Sequence, residues 1–198
     1  MSDWIGLSEE ERKSRLIARN VNISVVGFGY IGASIGLSLS AKGFSVTGID
    51  KNDDLLTSLS EGNCPFEEPG LQELLDSSLK NENLELSSDF SAISTSQVII
   101  LVVGTPLDEN FNPNLEYVIS ASEEIGKNLT QGSIIMVKST VPPGSTTDSI
   151  APILSESSGL VCGEDFGLVF SPERVDEGNV IRGLSTLPII VGGVNDVS

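Results

Sequence analysis

Residues 21–50 read VNISVVGFGYIGASIGLSLSAKGFSVTGID, and their order of strand, glycine turn, helix, strand and acid decides the fold class. Val21, Ile23, Val25 and Val26 form an uncharged, largely β-branched run, as expected of a parallel strand buried on both faces. The run ends in Gly27-Phe28-Gly29-Tyr30-Ile31-Gly32. That spacing predicts a tight turn at Gly27, approach of a pyrophosphate to the backbone at Gly29, and close helix packing at Gly32. The first N–H groups of the following helix then face the phosphates. The helix continues through Ala33, Ile35, Leu37 and Leu39 to a stop at Gly43, and Phe44 to Ile49 is the second strand. Asp50 lies 18 residues after Gly32, where a carboxylate accepts hydrogen bonds from adenosine ribose hydroxyls and repels a 2′-phosphate. NAD is therefore favoured over NADP, with Lys51 partly offsetting the repulsion. FAD and S-adenosylmethionine use related turns and stay open at this point.

Working outward, 198 residues with 39% hydrophobic and 20% charged side chains describe one globular domain with a full core. The net charge of −17 argues against nucleic-acid or anionic-membrane partners, because no cluster of Lys and Arg neutralises phosphates. A solvated acidic surface is expected instead. Cys64 and Cys162 are isolated, without metal-ligand spacing, which fits a reduced cytoplasmic compartment and no metal site. The chain has no histidine, so the commonest general base is missing. The longest strongly apolar run, Val98 to Val103, is too short to span a bilayer.

Residues 1–20 are expected to be a helical extension, with a capping box opening at Ser8 and a helix over 8–19. Residues 21–198 form the domain proper. After Asp50 come a polar helix closed by Gly62, then Pro65-Phe66-Glu67-Glu68-Pro69-Gly70-Leu71 leading into a helix from Leu71 to Leu79. Helix capping accounts for Glu67 and Glu68. Leu84 to Leu86 and Val98 to Val103 read as strands, the second ending in Gly104-Thr105-Pro106. Residues just past the carboxyl ends of parallel strands line the ligand crevice, so Gly104 and Thr105 should face the cofactor. A helix over 115–129 and a strand over 133–137 precede Lys138-Ser139-Thr140-Val141-Pro142-Pro143-Gly144. A strand over 166–170 ends in Ser171-Pro172-Glu173-Arg174-Val175-Asp176-Glu177-Gly178-Asn179, whose position favours a ligand-facing role for Glu173, Arg174 and Glu177. Leu187 to Val191 reads as the last strand. The alternation predicts an α/β, doubly wound, mostly parallel, Rossmann-like sheet in a single domain.

The loops GFGYIG, PFEEPGL, VGTP, KSTVPPGST and SPERVDEGN together resemble the N-terminal domain of the UDP-glucose/GDP-mannose dehydrogenase family, over about Val21 to Gly193. The resemblance implies a two-step, four-electron oxidation of a sugar C6 alcohol to a carboxylate, consuming two NAD, in polysaccharide biosynthesis. It implies that Gly27, Gly29, Tyr30, Ile31, Gly32, Asp50 and Lys51 hold the adenosine diphosphate half of NAD. Val103, Gly104, Thr105, Ser139 and Thr140 complete the cofactor site toward the nicotinamide. Thr140 also helps place the hydrolytic water, Glu173 lines the sugar site as acid/base or water-orienting group, and Glu177 contacts cofactor and substrate. Arg174 meets the substrate's negative charge. The SPERVDEGN ending resembles the UDP-N-acetyl-mannosamine branch more than the UDP-glucose branch.

Two departures qualify that resemblance. The family's nucleophilic cysteine and its lysine belong to later segments, and neither Cys64 nor Cys162 sits in such a setting. The basic residue often found after the ribose-binding acid is replaced by Leu55. The chain is therefore expected to be the NAD-binding half of a longer enzyme, inactive alone, whose full-length form is a homodimer and whose substrate is a UDP-sugar. A stand-alone NAD-binding or regulatory module, and a 3-hydroxyacid or 6-phosphogluconate-type dehydrogenase, are the alternatives.

Overall fold

The computed structural model describes residues 3–195 and 198; residues 1–2 of the extension and 196–197 at the other end of the domain lie outside the described residues. Among the described residues one sheet of seven strands has the order β3-β2-β1-β4-β5-β6-β7. Its strands are β1 (Asn22–Val26), β2 (Ser45–Ile49), β3 (Leu84–Ser87), β4 (Val98–Leu101), β5 (Ile134–Val137), β6 (Gly167–Phe170) and β7 (Gly192–Gly193). The first six run parallel, with Ile23 between Val46 and Val98 in register. Only β7 is antiparallel, pairing with β6.

Helices cover both faces because most strand side chains are apolar on both sides. One face carries α5 (Glu116–Asn128) and α6 (Ala151–Ser158), packing Ile125 and Leu154 against Ile135 and Leu168. The other carries α2 (Tyr30–Ala41) and α4 (Leu71–Lys80), packing Leu37 and Leu75 against Val25 and Val46. Short α3 (Asp53–Ser60) and α7 (Val180–Thr186), with a 3₁₀ turn Phe90–Thr95, complete the layers. The chain leaves β1 toward β2 on one side and returns through β4 on the other. The β1/β4 junction is thus the topological switch point, where ligands of such sheets bind.

The expected extension helix is α1 (Glu9–Ile17). Ser8 Oγ accepts the Glu11 N–H at 3.3 Å and a Glu11 carboxylate oxygen accepts the Ser8 N–H at 2.9 Å, forming the capping box. No α1 residue is buried. The extension is anchored before the helix: Trp4 is 6% exposed, and the Trp4 and Ile5 N–H groups donate to the Gly132 carbonyl at 2.9 and 3.1 Å.

One expected strand is corrected. Leu187 to Val191 lies outside any strand; β7 follows it, and the unforeseen α7 precedes it. Pro188 has no N–H to offer a sheet ladder. The segment is irregular and open to solvent, with Ile189 68% and Ile190 57% exposed.

Candidate functional site

Each glycine of the turn meets a different constraint. Gly27 has φ +92°, and a Cβ there would sit 2.8 Å from Val103 Cγ1 and 2.9 Å from its backbone. At Gly32 an added Cβ would lie 1.9 Å from the Gly27 carbonyl oxygen, whereas at Gly29 it would meet nothing within 4 Å. Gly29 is also the N-cap of α2 and makes no side-chain cap hydrogen bond. No side chain caps the first N–H groups of the helix, which have no intrahelical acceptor, and there is room beside Gly29. Phe28, between the glycines, is a core plug with 0% exposure. Its ring fills the spaces left by Gly36 and Gly48, where added Cβ atoms would approach it at 2.5 and 2.6 Å.

Asp50 directly follows β2, beside this turn. One carboxylate oxygen accepts the Phe28 N–H at 2.8 Å, and the other accepts the Asn52 N–H at 3.0 Å. Each oxygen keeps a further lone pair for another donor. Asp50 thus has a scaffold role that its spacing in the sequence does not reveal. Next to it, Lys51 Nζ donates to Ser120 Oγ on α5 at 2.9 Å.

These residues border a cleft of about 300 Å³ at the β1/β4 junction. Gly27, Gly29 and Gly104 form its backbone floor, Asp50 is its acid, and Phe90 and Tyr117 belong to its apolar wall. A Cβ at Gly104, as at Gly29, would meet nothing within 4 Å. Two open backbone positions, a helix N-terminus, an acid and an apolar slot are the fittings a dinucleotide needs. Sequence reading missed Phe90 and Tyr117, which carry no local motif and reach the cleft only through the fold, and Ser120, which meets the cleft residue Lys51.

The remaining expected site residues lie outside that lining. Ser139 is buried and its hydroxyl donates to the Val103 carbonyl at 2.8 Å, joining the ends of β4 and β5. Thr105 is half-buried and Thr140 exposed. Beyond them Glu173 forms an ion pair with Lys138 at 3.0 Å, the two side chains being 16% and 9% exposed. The other Glu173 oxygen accepts the Arg174 N–H at 2.9 Å, and Lys138 also donates to the Ser171 carbonyl at 3.2 Å. Lys138 was unforeseen as a partner of Glu173, although its place at the end of an apolar strand was a usable signal. The Arg174 guanidinium donates to the Pro188 carbonyl, and Glu177 is exposed.

A third group forms around Tyr30. Its backbone belongs to the turn, but its hydroxyl donates to a Glu68 carboxylate oxygen and accepts the Gly178 N–H at 2.8 Å. The other Glu68 oxygen accepts the Ile181 N–H at 3.2 Å. Phe66 meets the Tyr30 ring edge-on, with centroids 5.9 Å apart. Burial, then the hydrogen bond to Glu68, pushes the Tyr30 hydroxyl above its ordinary pKa. Helix capping does not account for Glu68, which is only 7% exposed and turned toward Tyr30. Burial likewise pushes the Cys162 thiol up, away from the reactive thiolate.

Among the described residues no group of His, Cys, Asp and Glu is arranged to hold a metal, and no helix is long and apolar enough to cross a membrane.

Residues 21–198 match the model of the UDP-glucose/GDP-mannose dehydrogenase family, NAD binding domain. GDP-mannose 6-dehydrogenase of Pseudomonas putida is 37% identical over 180 residues, covering 89% of this chain and 41% of that protein. Among solved structures, NDP-N-acetyl-D-galactosaminuronic acid dehydrogenase from Methanosarcina mazei superposes with a TM-score of 0.85 at 32% identity, over 94% of this chain and 42% of the other. The native UDP-N-acetyl-mannosamine dehydrogenase Cap5O from Staphylococcus aureus gives 0.82 at 34% identity, over 89% and 42%. The chain spans about 40% of the length of the curated relatives it matches. With the glycine turn, the acid and the switch-point cleft in place, the chain belongs to the UDP-glucose/GDP-mannose dehydrogenase family as its NAD-binding domain.

Proposed function

We propose that this domain is the cofactor half of a nucleotide-sugar 6-dehydrogenase that oxidises the C6 alcohol of a UDP-sugar to the uronate. The favoured sugars are UDP-N-acetyl-mannosamine or another N-acetylhexosamine, with UDP-glucose as the alternative. The observation that carries the reading is the pairing of two open glycines, Gly29 and Gly104, with the Lys138–Glu173 ion pair at the carboxyl ends of one sheet. The N-terminus of α2 and Gly29 hold the pyrophosphate, Asp50 the adenosine ribose, and the wall containing Phe90 and Tyr117 the adenine. NAD, when bound, supplies the hydride acceptor.

Glu173 then serves as proton acceptor or orients water, with its carboxylate held in place by Lys138. Thr140 and Glu177 are further polar groups near the sugar and the nicotinamide, and Arg174 offers positive charge to the nucleotide. The family's cysteine nucleophile and its lysine would be supplied by segments other than these 198 residues. Similarity to a GDP-mannose 6-dehydrogenase, a UDP-N-acetyl-mannosamine dehydrogenase and an NDP-N-acetyl-D-galactosaminuronic acid dehydrogenase supports the class. A second reading is an NAD-binding module without catalysis, for which the cleft bordered by Gly27, Gly29, Asp50 and Gly104 would serve equally well.

Incubation of the chain with NAD and, in turn, UDP-N-acetyl-mannosamine, UDP-glucose and GDP-mannose tests both halves of the proposal. Expected are saturable NAD binding and no NADH fluorescence with any sugar nucleotide. NADH formation by the chain alone contradicts the division of labour, and absence of NAD binding contradicts the cofactor assignment.

A further inference from the structure

Tyr30 is the only aromatic residue of the glycine turn that leaves the core, and its hydroxyl sits at the meeting point of three loops distant in sequence. Its two partners, Glu68 and Gly178, lie 38 and 148 residues away. Glu68 in turn accepts the N–H of Ile181 at 3.2 Å. Nothing in packing alone calls for a carboxylate here. Glu68 is 7% exposed, and its carboxylate accepts from the phenol and from that N–H. Burying a charged group is costly unless its hydrogen bonds are made, so its partners are held to narrow positions.

Those partners belong to the two parts of the site that must act together. Tyr30 opens α2, at the helix end that faces the pyrophosphate. Gly178 and Ile181 flank the start of α7, directly after the loop that bears Glu173 and Glu177. We propose that the Tyr30–Glu68 pair is a positioning latch that couples dinucleotide binding at the glycine turn to the placement of the 171–179 loop. Phosphate contact that orders the first turn of α2 also fixes the phenol, and the phenol fixes Gly178. Glu68 doubles the tie through Ile181. Phe66, edge-on to the Tyr30 ring, limits the ring's alternative positions. Tyr30 and Glu68 are thus positioning residues, acting through the loop rather than on the reacting atoms. The inference rests on NAD binding in the cleft, and its test separates the two.

Amide hydrogen exchange of the 198-residue chain, with and without saturating NAD, reads the coupling directly. In the wild type NAD is expected to slow exchange over 27–33 and also, by up to about tenfold, the net size of one hydrogen bond, at Gly178 and Ile181. In Tyr30→Phe, which removes both donor and acceptor, Gly178 and Ile181 are expected to show no response at NAD concentrations that saturate the protection of 27–33, whatever the variant's affinity. Glu68→Gln keeps an acceptor for the phenol and restores part of the response that Glu68→Ala abolishes. Thermal unfolding of each variant shows that the comparison is made between folded proteins. A full NAD response at Gly178 and Ile181 in Tyr30→Phe, or none in the wild type while 27–33 is protected, overturns the latch. Lack of protection at 27–33 in the wild type overturns the cofactor site itself and the coupling with it.

Discussion

A Cβ added at Gly29 would meet no heavy atom within 4 Å, and one added at Gly32 would collide with the Gly27 carbonyl oxygen at 1.9 Å. The backbone of Gly29, at φ −67° and ψ −164°, is also open to alanine. Gly29→Ala is therefore expected to leave the melting temperature unchanged and to weaken NAD binding at least tenfold, since its methyl group occupies the pyrophosphate's space. Gly32→Ala is expected to lower both, with a stability loss of about 1–3 kcal/mol or more from overpacking. Thermal unfolding and NAD titration of the two variants check the contrast. Asp50 belongs with Gly32 in this respect. Its carboxylate holds the Phe28 and Asn52 N–H groups, so Asp50→Ala should cost about 1–3 kcal/mol of stability by leaving those donors without their acceptor. Loss of affinity in that variant combines a missing ribose acceptor with a loosened turn, and only Gly29→Ala isolates binding.

Among the elements, the amino-terminal extension divides sharply between anchor and surface. Trp4 is nearly buried, while Ile17 at the end of α1 is 79% exposed. Trp4→Ala is expected to destabilise by about 3–5 kcal/mol, and Ile17→Ser by less than about 0.5 kcal/mol; denaturant titrations of both measure the difference. Caps supply the pH dependence at this scale. Hydrogen bonds from Ser91 hold Asp89, at the start of the 3₁₀ turn, below the usual carboxylate range, and those from Asn112 and Asn110 do the same for Asp108 in the β4–α5 loop. Because these folded-state values are depressed, their contribution is present above the unfolded value of about 4 and is lost as pH falls through the folded values. Asp89→Asn should flatten the acid limb of a melting-temperature profile below about pH 4, and an equally steep limb in the variant would refute the cap's role. The order of the strands through β6 was legible in the sequence because apolar runs mark them, and glycines close α2 and α3. The end was not: α7 has a short, weakly patterned sequence, and the apolar residues after it suggested a strand that Pro188 helps prevent. The neighbourhood of the glycine turn and Asp50 was legible from local spacing, and both border the cleft. Lys138 with Glu173, Glu68 with Tyr30, and Ser120 with Lys51 are pairings across 35 to 69 residues, which only the fold brings together.

For the molecule as a whole, two features set its behaviour: a net charge of −17 and a cleft at the one place where the chain's winding reverses. Mutual repulsion among exposed carboxylates is screened by salt, with a Debye length of about 10 Å at 0.1 M. The melting temperature at pH 7 is expected to rise as sodium chloride is added from low ionic strength. That gain should shrink as the carboxylates protonate, and a salt-independent melting temperature would show that the acidic surface is too dispersed to matter. The same charge leaves a dianionic pyrophosphate dependent on local N–H donors, which concentrates the cofactor claim on a few backbone groups at the start of α2. Calorimetric titration of the 198-residue chain with NAD, beside Gly29→Ala, therefore tests the account most directly. Saturable one-to-one binding in the wild type, lost or at least tenfold weaker in a variant of unchanged melting temperature, is the result predicted. Equal binding by the two proteins, or no binding by the folded wild type, would contradict the glycine-turn cleft as the dinucleotide site.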